Sequence, residues 1–292
     1  MILITGATGN VGTEILKHLV KQGVPAKAMV RSTASADKLA GFSGIEPVIA
    51  DFDDPSSLER ALTGIETAFL LTNSSERAET QQLAFVAAAK RAGVRHLVKF
   101  SQVHAASDSP VRFLRYHAIV EQAIMASRMA YTILRSNLFM QELLSFRDSI
   151  KGGKLFAPIG DARISLVDIR DLAAVAVVAM TRPGQNKTYD LTGPEALSHD
   201  EIAEKIAAVV GWPVKFVPID PDAMRQALAE FGIPQWQADG VIEDYAHYAR
   251  NEAAEISGDI ASVLGKNPTT LDTFLNEYRS SLVAQEEMQH ER

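Results

Sequence analysis

The chain has 292 residues, 47% of them apolar and 22% charged, which fits an ordinary globular protein with room for one large or two modest domains. A net charge of −7 argues against a nucleic-acid-binding face, and the absence of cysteine removes disulfides, thiol nucleophiles and cysteine-held metals. No run approaches the ~20 apolar residues of a membrane span, and glycines interrupt the apolar start, so a cytoplasmic protein with no membrane attachment is the expectation.

An apolar strand, Met1–Thr5, runs into Gly6-Ala7-Thr8-Gly9-Asn10-Val11-Gly12, and an amphipathic helix, Val11–Gln22, follows. This is the layout of a phosphate site. Gly6 allows a tight turn, Gly9 lets a pyrophosphate approach the backbone, and Gly12 lets the helix pack on the sheet. The helix N-terminus offers unpaired N–H groups. Further strands are expected at Ala26–Arg31, Glu46–Ala50, Thr67–Leu71, His96–Ser101 and Ala130–Arg135, read as apolar runs buried on both faces. Helices are expected between them at Ser56–Leu62, Glu76–Ala92 and Arg115–Ser127, with Gly23 and Gly93 as helix terminators. Alternation at this spacing predicts an α/β fold, a doubly wound, Rossmann-like parallel sheet over residues 1–139.

After residue 139 the rhythm changes. Gly152-Gly153 and Pro158-Ile159-Gly160 punctuate loops, Leu172–Met180 reads as an alanine-rich helix, and Lys187–Thr192 reads as a strand returning to the first domain. Ser198-His199-Asp200-Glu201 is a capping box opening the helix Glu201–Val210. Lys215–Pro218 reads as a strand, and Ala223–Glu230 and Gln237–Asn251 as amphipathic helices. Residues 140–284 are therefore expected to form mainly a smaller, mostly helical substrate or lid domain, and 285–292 a frayed tail.

The end of the second strand selects the cofactor. A carboxylate there would bind the ribose hydroxyl of NAD, but Arg31-Ser32-Thr33 suits a 2′-phosphate, which favours NADPH over NADH. Asp51 is a candidate acceptor for the adenine amino group, or alternatively a helix cap, and Phe52 a wall beside the base or a core residue. Thr72, Asn73 and Ser74 are candidate linings of the ribose and phosphate path, and Ser101 is expected near the nicotinamide. His117 and Glu121, four apart on one helix face, read either as a ring lining the nicotinamide cleft with a carboxylate orienting it, or as a surface pair. Asn137 is a candidate donor to the carboxamide or to an acceptor oxygen, or a turn residue. Phe139 and Met140 are walls or core. Asp168 and Asp171 read as loop-ordering and capping residues, Arg135 as a strand-end anchor, and Trp212 and Trp236 as packing. No zinc-binding His-Glu-x-x-His helix and no Gly-x-Ser-x-Gly elbow occurs, so neither a metal site nor a serine hydrolase is expected.

The segments Gly6–Gly12, Val30-Arg31, Gly93-Val94, His117 with Glu121, Tyr131–Arg135 and Pro268–Leu271 together resemble the NmrA-like atypical short-chain dehydrogenase/reductases. Within that group the likeness is greatest to type 2 NAD(P)H:quinone oxidoreductases and triphenylmethane reductases, and it extends over roughly residues 1–280. The resemblance places the turn at Asn137 beside the nicotinamide half of the cofactor.

Ordinary short-chain dehydrogenases use Tyr-x-x-x-Lys to pass a proton. Here Tyr116 is followed four residues on by Val120. A reaction without that relay suits acceptors whose new charge is delocalised or neutralised. The expected function is hydride transfer from NADPH to a flat electrophilic acceptor such as a quinone or an azo or cationic dye. The expected partners are that small molecule and a second copy of the chain in a homodimer. The rival reading is a non-catalytic, NADP-binding redox sensor of the NmrA type, partnered by a transcription factor.

Overall fold

The computed structural model describes residues 1–182 and 186–283. The expected tail at 285–292 lies outside the described residues.

The first half alternates strands and helices in chain order. β1 is Ile2–Ile4, α1 Asn10–Lys21, β2 Ala26–Val30, α2 Thr33–Asp37, β3 Ile45–Ile49, α3 Pro55–Leu62, β4 Thr67–Leu70, α4 Ala78–Arg91, β5 His96–Gln102, α5 Arg112–Ala126 and β6 Ala130–Ser136. A 3-10 turn, Met140–Phe146, leads to α6 (Arg147–Lys151), β7 (Lys154–Ala157), β8 (Arg163–Ile164), α7 (Ile169–Thr181) and β9 (Lys187–Leu191). The remainder is β10 (Leu197–Ser198), α8 (His199–Val210), β11 (Lys215–Pro218), α9 (Pro221–Glu230), α10 (Gln235–Tyr248), α11 (Asp259–Leu264), α12 (Leu271–Glu277) and α13 (Arg279–Val283).

The main sheet has seven parallel strands in the order β3-β2-β1-β4-β5-β6-β9. The order reverses between β1 and β4, and this switch point is where a doubly wound sheet opens a crevice at its carboxyl edge. One face carries α1, α7 and α11 over a core that includes Ile15, Leu16, Leu172, Val175 and Ile260. The other carries α3, α4 and α5 over Leu58, Phe85, Val120 and Ile124. Central strands are buried on both sides as expected, but β3 is an edge strand that exposes Glu46, Pro47 and Ile49.

The expected division of the chain is too simple at two places. α7 packs along α1, and Leu172, Ala173 and Val177 join the core of the sheet's first face. α11 joins the same core through Ile260. What remains after residue 139 builds a separate core from Met140, Ile150, Ile202, Ile206, Tyr245 and Phe274, with two small two-stranded sheets, β10-β8 and β11-β7. The capping box at Ser198 and Glu201 forms as read, with both reciprocal bonds in place.

Candidate active site

β1 and β4 are tied at the switch point by Thr5, which is fully buried. Its hydroxyl hydrogen is shared between the carbonyls of Phe69 and Leu71, at 3.0 and 2.9 Å, and its oxygen accepts the Leu71 N–H at 2.8 Å. The chain then turns at Gly6 with φ +65°, a left-handed backbone that glycine adopts without penalty. α1 crosses so close to this turn that a Cβ on Gly12 would stand 2.1 Å from the Gly6 carbonyl oxygen. Thr8, Gly9 and Asn10 are exposed, and α1 begins with neither a capping side chain nor an acidic residue in its first turn. Its N–H groups and positive dipole end are therefore left for an anion, and the cradle fits the phosphates of a dinucleotide.

The adenosine half of such a ligand would lie along β2 and β3. Arg31 is exposed beyond β2, with no carboxylate paired to it among the described residues. Ser32 is not free in the same way, because its hydroxyl caps α2 by accepting the Ser35 N–H at 3.2 Å. Asp51 is exposed and accepts the Asp53 N–H at 2.9 Å, while Asp54 caps α3. Asp51 is therefore not the helix cap, and Phe52 packs on Phe85 with ring centroids 5.7 Å apart. At the end of β4, Thr72 accepts a 2.7 Å bond from Gln82, Asn73 is exposed, and Ser74 shares a 3.1 Å hydrogen bond with the Tyr116 hydroxyl.

The expectation for His117 changes in its partner. Glu121 does not orient it. Lys99, fully buried in β5, donates to His117 Nδ1 at 2.9 Å and also to the Phe100 carbonyl. With Nδ1 accepting, the proton of the neutral ring sits on Nε2. Burial, aided by Lys99 and Arg135, holds the His117 imidazole well below its ordinary range, so it stays neutral. Burial also pulls the Lys99 amine down to about 7, against the pull of Glu121. β5 thus supplies the lysine that position 120 lacks, but delivers it to His117. The Tyr116 phenol is pushed up by burial and remains protonated beside Ser74.

Ser101 stands near the carboxyl end of β5, with its hydroxyl already engaged. It is buried and donates to Glu121 Oε1 at 2.6 Å. Glu121 also takes two bonds from Arg135, at 3.0 and 2.6 Å. The β5–β6 register sets Ser101 opposite Arg135, which brings the three side chains together beneath α5. Arg135 is a strand-end anchor, as read.

Asn137 is buried and both of its amide hydrogens are committed, to Ser165 Oγ at 2.8 Å and the Ala253 carbonyl at 2.9 Å. Its side-chain oxygen accepts the Leu138 N–H at 2.8 Å. The expected donation to a carboxamide or acceptor is replaced by a clamp on the 249–257 strap. Nearby, Gln102 donates to Asp244 Oδ1 at 2.9 Å, tying α10 to β5. Phe139 packs on Phe100 with centroids 6.2 Å apart, and Met140 is core. Asp168 caps α7 by accepting the Arg170 N–H at 2.8 Å, and Asp171 accepts the Thr269 N–H at 2.6 Å. Trp236 packs on Phe113 at 5.5 Å under the Arg112 guanidinium, and Trp212 donates to the Ile150 carbonyl at 3.0 Å. Among the described residues no cluster of His, Asp or Glu has the geometry of a metal site, and no helix is long and apolar enough to cross a membrane.

A seven-stranded parallel sheet, a glycine turn at its switch point and a free N-terminus on the following helix define a Rossmann-type dinucleotide-binding fold. The NmrA-like family model matches residues 1–278, and the chain belongs to that family. It is 35% identical to an NAD(P)H azoreductase of Xenophilus azovorans over 286 residues, 97% of this chain and 100% of that protein. It is 30% identical to quinone oxidoreductase 2 of Escherichia coli over 278 residues, 93% of this chain and 96% of the relative. Among solved structures, Citrobacter sp. triphenylmethane reductase superposes with TM-score 0.86 at 26% identity, covering 96% of this chain and 99% of that one. The Escherichia coli NADPH-dependent quinone oxidoreductase complexed with NADPH also superposes with TM-score 0.86, at 27% identity, covering 95% and 99%.

Proposed function

We propose that the protein is an NADPH-dependent reductase that passes hydride to a flat electrophilic acceptor such as a quinone or an azo compound. The observation that carries this reading is the open phosphate cradle at the β1–β4 switch point, with exposed Arg31 standing one strand away where a 2′-phosphate would reach it. A bound dihydronicotinamide supplies the hydride. The Gly6–Gly12 turn and the first turn of α1 hold the pyrophosphate, Arg31 the 2′-phosphate, Asp51 the adenine amino group, and Thr72 and Asn73 the ribose path. His117, kept neutral by burial and bonded to Lys99 through Nδ1, is the α5 side chain assigned to the nicotinamide side of the crevice. The family relatives that reduce azo compounds and quinones support the acceptor class.

The separation of Tyr116 from Lys99 supports the same choice. A ketone reductase needs a phenol whose proton a nearby ammonium loosens. Here the phenol bonds Ser74 and the amine bonds His117. The test is to mix purified protein, NADPH and a short-chain quinone or azo dye and follow loss of reduced-nicotinamide absorbance. Turnover supports the reading, and its absence with every quinone, azo dye and cationic dye tried overturns it.

A further inference from the structure

Beyond the crevice just described, the turn after β5 faces the end of α10 across an open cavity of about 510 Å³. His104, Asp108 and Leu114 line one side, His247 and Glu252 the other. The cavity sits at the carboxyl edge of β5, next to the switch-point strand β4, on the side from which a ligand enters a doubly wound sheet.

Its histidines are held by unusual means. The His247 side chain is only 8% exposed, and its Nδ1 meets Glu252 Oε2. Glu252 comes back to His247 because Asn251, three residues beyond the end of α10, takes a left-handed conformation, φ 61°, reversing the chain. Arg250 fixes the carboxylate with two bonds, at 2.7 and 2.8 Å. The next residue, Ala253, is the one whose carbonyl is clamped by Asn137 and Ser165. Across the cavity His104 takes a left-handed backbone, φ 63°, and sets its ring edge-on to His247 with centroids 5.6 Å apart. Burial pulls the His247 ring below its ordinary value, against Glu252, which favours the imidazolium and occupies Nδ1, leaving Nε2 as the ring nitrogen available to a ligand. The charged and titratable groups facing His247 are Glu252 and Arg250 from the strap, and His104 and Asp108 from the β5–α5 turn, with Asp190 of β9 in turn influenced by His104.

We propose that His247, oriented by Glu252 and flanked by His104, donates the proton that completes reduction of an aromatic acceptor seated in this cavity, with Asn137 as a positioning residue for the strap. This rests on the reductase reading. The acceptor gains hydride at one end of its N=N or quinonoid system. The π electron pair moves to the far nitrogen or oxygen, and that atom takes the proton from Nε2 of His247. The acceptor is reduced to the hydrazo compound or hydroquinone, dihydronicotinamide is oxidised to the pyridinium, and the imidazole recovers its proton from water at the cavity mouth.

The test compares acceptors that need this proton with one that does not. Benzoquinone and methyl red need it, whereas malachite green, a carbocation, is neutralised by hydride alone. Wild type, His247→Asn and Glu252→Gln are assayed with all three, and the His247 ring is titrated by NMR in the cofactor-free protein. A general acid is worth about 10²- to 10⁴-fold. His247→Asn is therefore expected to lower kcat/KM for benzoquinone and methyl red at least about tenfold more than for malachite green. Glu252→Gln is expected to shift the same ratio in the same direction and to lower the His247 titration midpoint. An unchanged ratio, or a midpoint that Glu252→Gln does not lower, overturns the proton-donor role while leaving the reductase reading intact. Wild-type protein that binds NADPH yet reduces none of the three overturns both. Should His247→Asn fail to fold, Glu252→Gln alone decides by the same two criteria.

Discussion

Lys99 of β5 donates to Nδ1 of His117 on α5 at 2.9 Å, from a position with no exposed surface. The two residues are 18 apart in sequence and meet because α5 lies across β5. The pair places an amine under the helix that carries tyrosine and lysine in ordinary short-chain dehydrogenases, and spends it on fixing a neutral imidazole.

A buried amine makes stability depend on pH in a predictable direction. In the unfolded chain Lys99 holds its proton up to about pH 10.4, whereas in the folded protein it releases it near 7. Between these values the unfolded state binds more protons, so raising the pH favours folding. Stability attributable to Lys99 therefore rises from pH 7 towards 10.5, by at most about 1.4 kcal/mol per pH unit. Urea midpoints of wild type and Lys99→Met across pH 7–10 should show the slope in wild type and its reduction in the variant. Parallel curves would contradict this.

Asp244 has the opposite sign. Burial raises its carboxyl to about 7, against hydrogen bonds from Gln102 and Tyr248. The folded state keeps a proton that the unfolded state has already lost, so stability falls as pH rises from about 4 to 7. Asp244→Asn is expected to flatten that fall and to melt higher than wild type at pH 8, measured by thermal denaturation.

The Glu121–Arg135 pair anchors α5 to the β5–β6 edge, with the Glu121 side chain 3% exposed. Removing one partner of a buried ion pair strands the other. Glu121→Gln should cost about 3 kcal/mol in denaturant unfolding, and Glu121→Ala more, because Ser101 also loses its acceptor. A loss under about 0.5 kcal/mol would mean that the pair is solvated.

Arg31 is expected to carry cofactor choice. Arg31→Asp removes a charge-assisted bond to the 2′-phosphate, weakening NADPH binding about 10- to 100-fold with little loss for NADH. Calorimetric titration of both nucleotides checks it, and an unchanged affinity ratio would assign the 2′-phosphate elsewhere.

Much of this site was legible because its causes are local. The Gly6–Gly12 turn, the capping box at Ser198 and the terminators Gly23 and Gly93 each follow from backbone geometry within a few residues, and Gly23 and Gly93 do adopt positive φ. Lys99 was not legible, because a lysine in a strand reads as a solvent-facing residue until the sheet order buries it between β4 and β6. Ser101 and Asn137 are at the strand ends where ligands bind, but β-sheet register and the returning strap gave their polar atoms other partners. Thr5 had a visible signal, as the one hydroxyl closing an apolar strand, and its role needed only the pairing of β1 with β4. His247 and Glu252 are five apart, and only the left-handed turn at Asn251 makes them a pair.

The most direct test of the central claim is a single mixing experiment: purified protein with NADPH and benzoquinone, monitored for reduced-nicotinamide absorbance, with NADPH affinity measured on the same sample. Nucleotide binding accompanied by catalytic oxidation that depends on the quinone is the expected result. Tight binding with no oxidation by the quinone, or by azo and cationic dyes, would contradict it and favour a protein that senses the dinucleotide without turning it over.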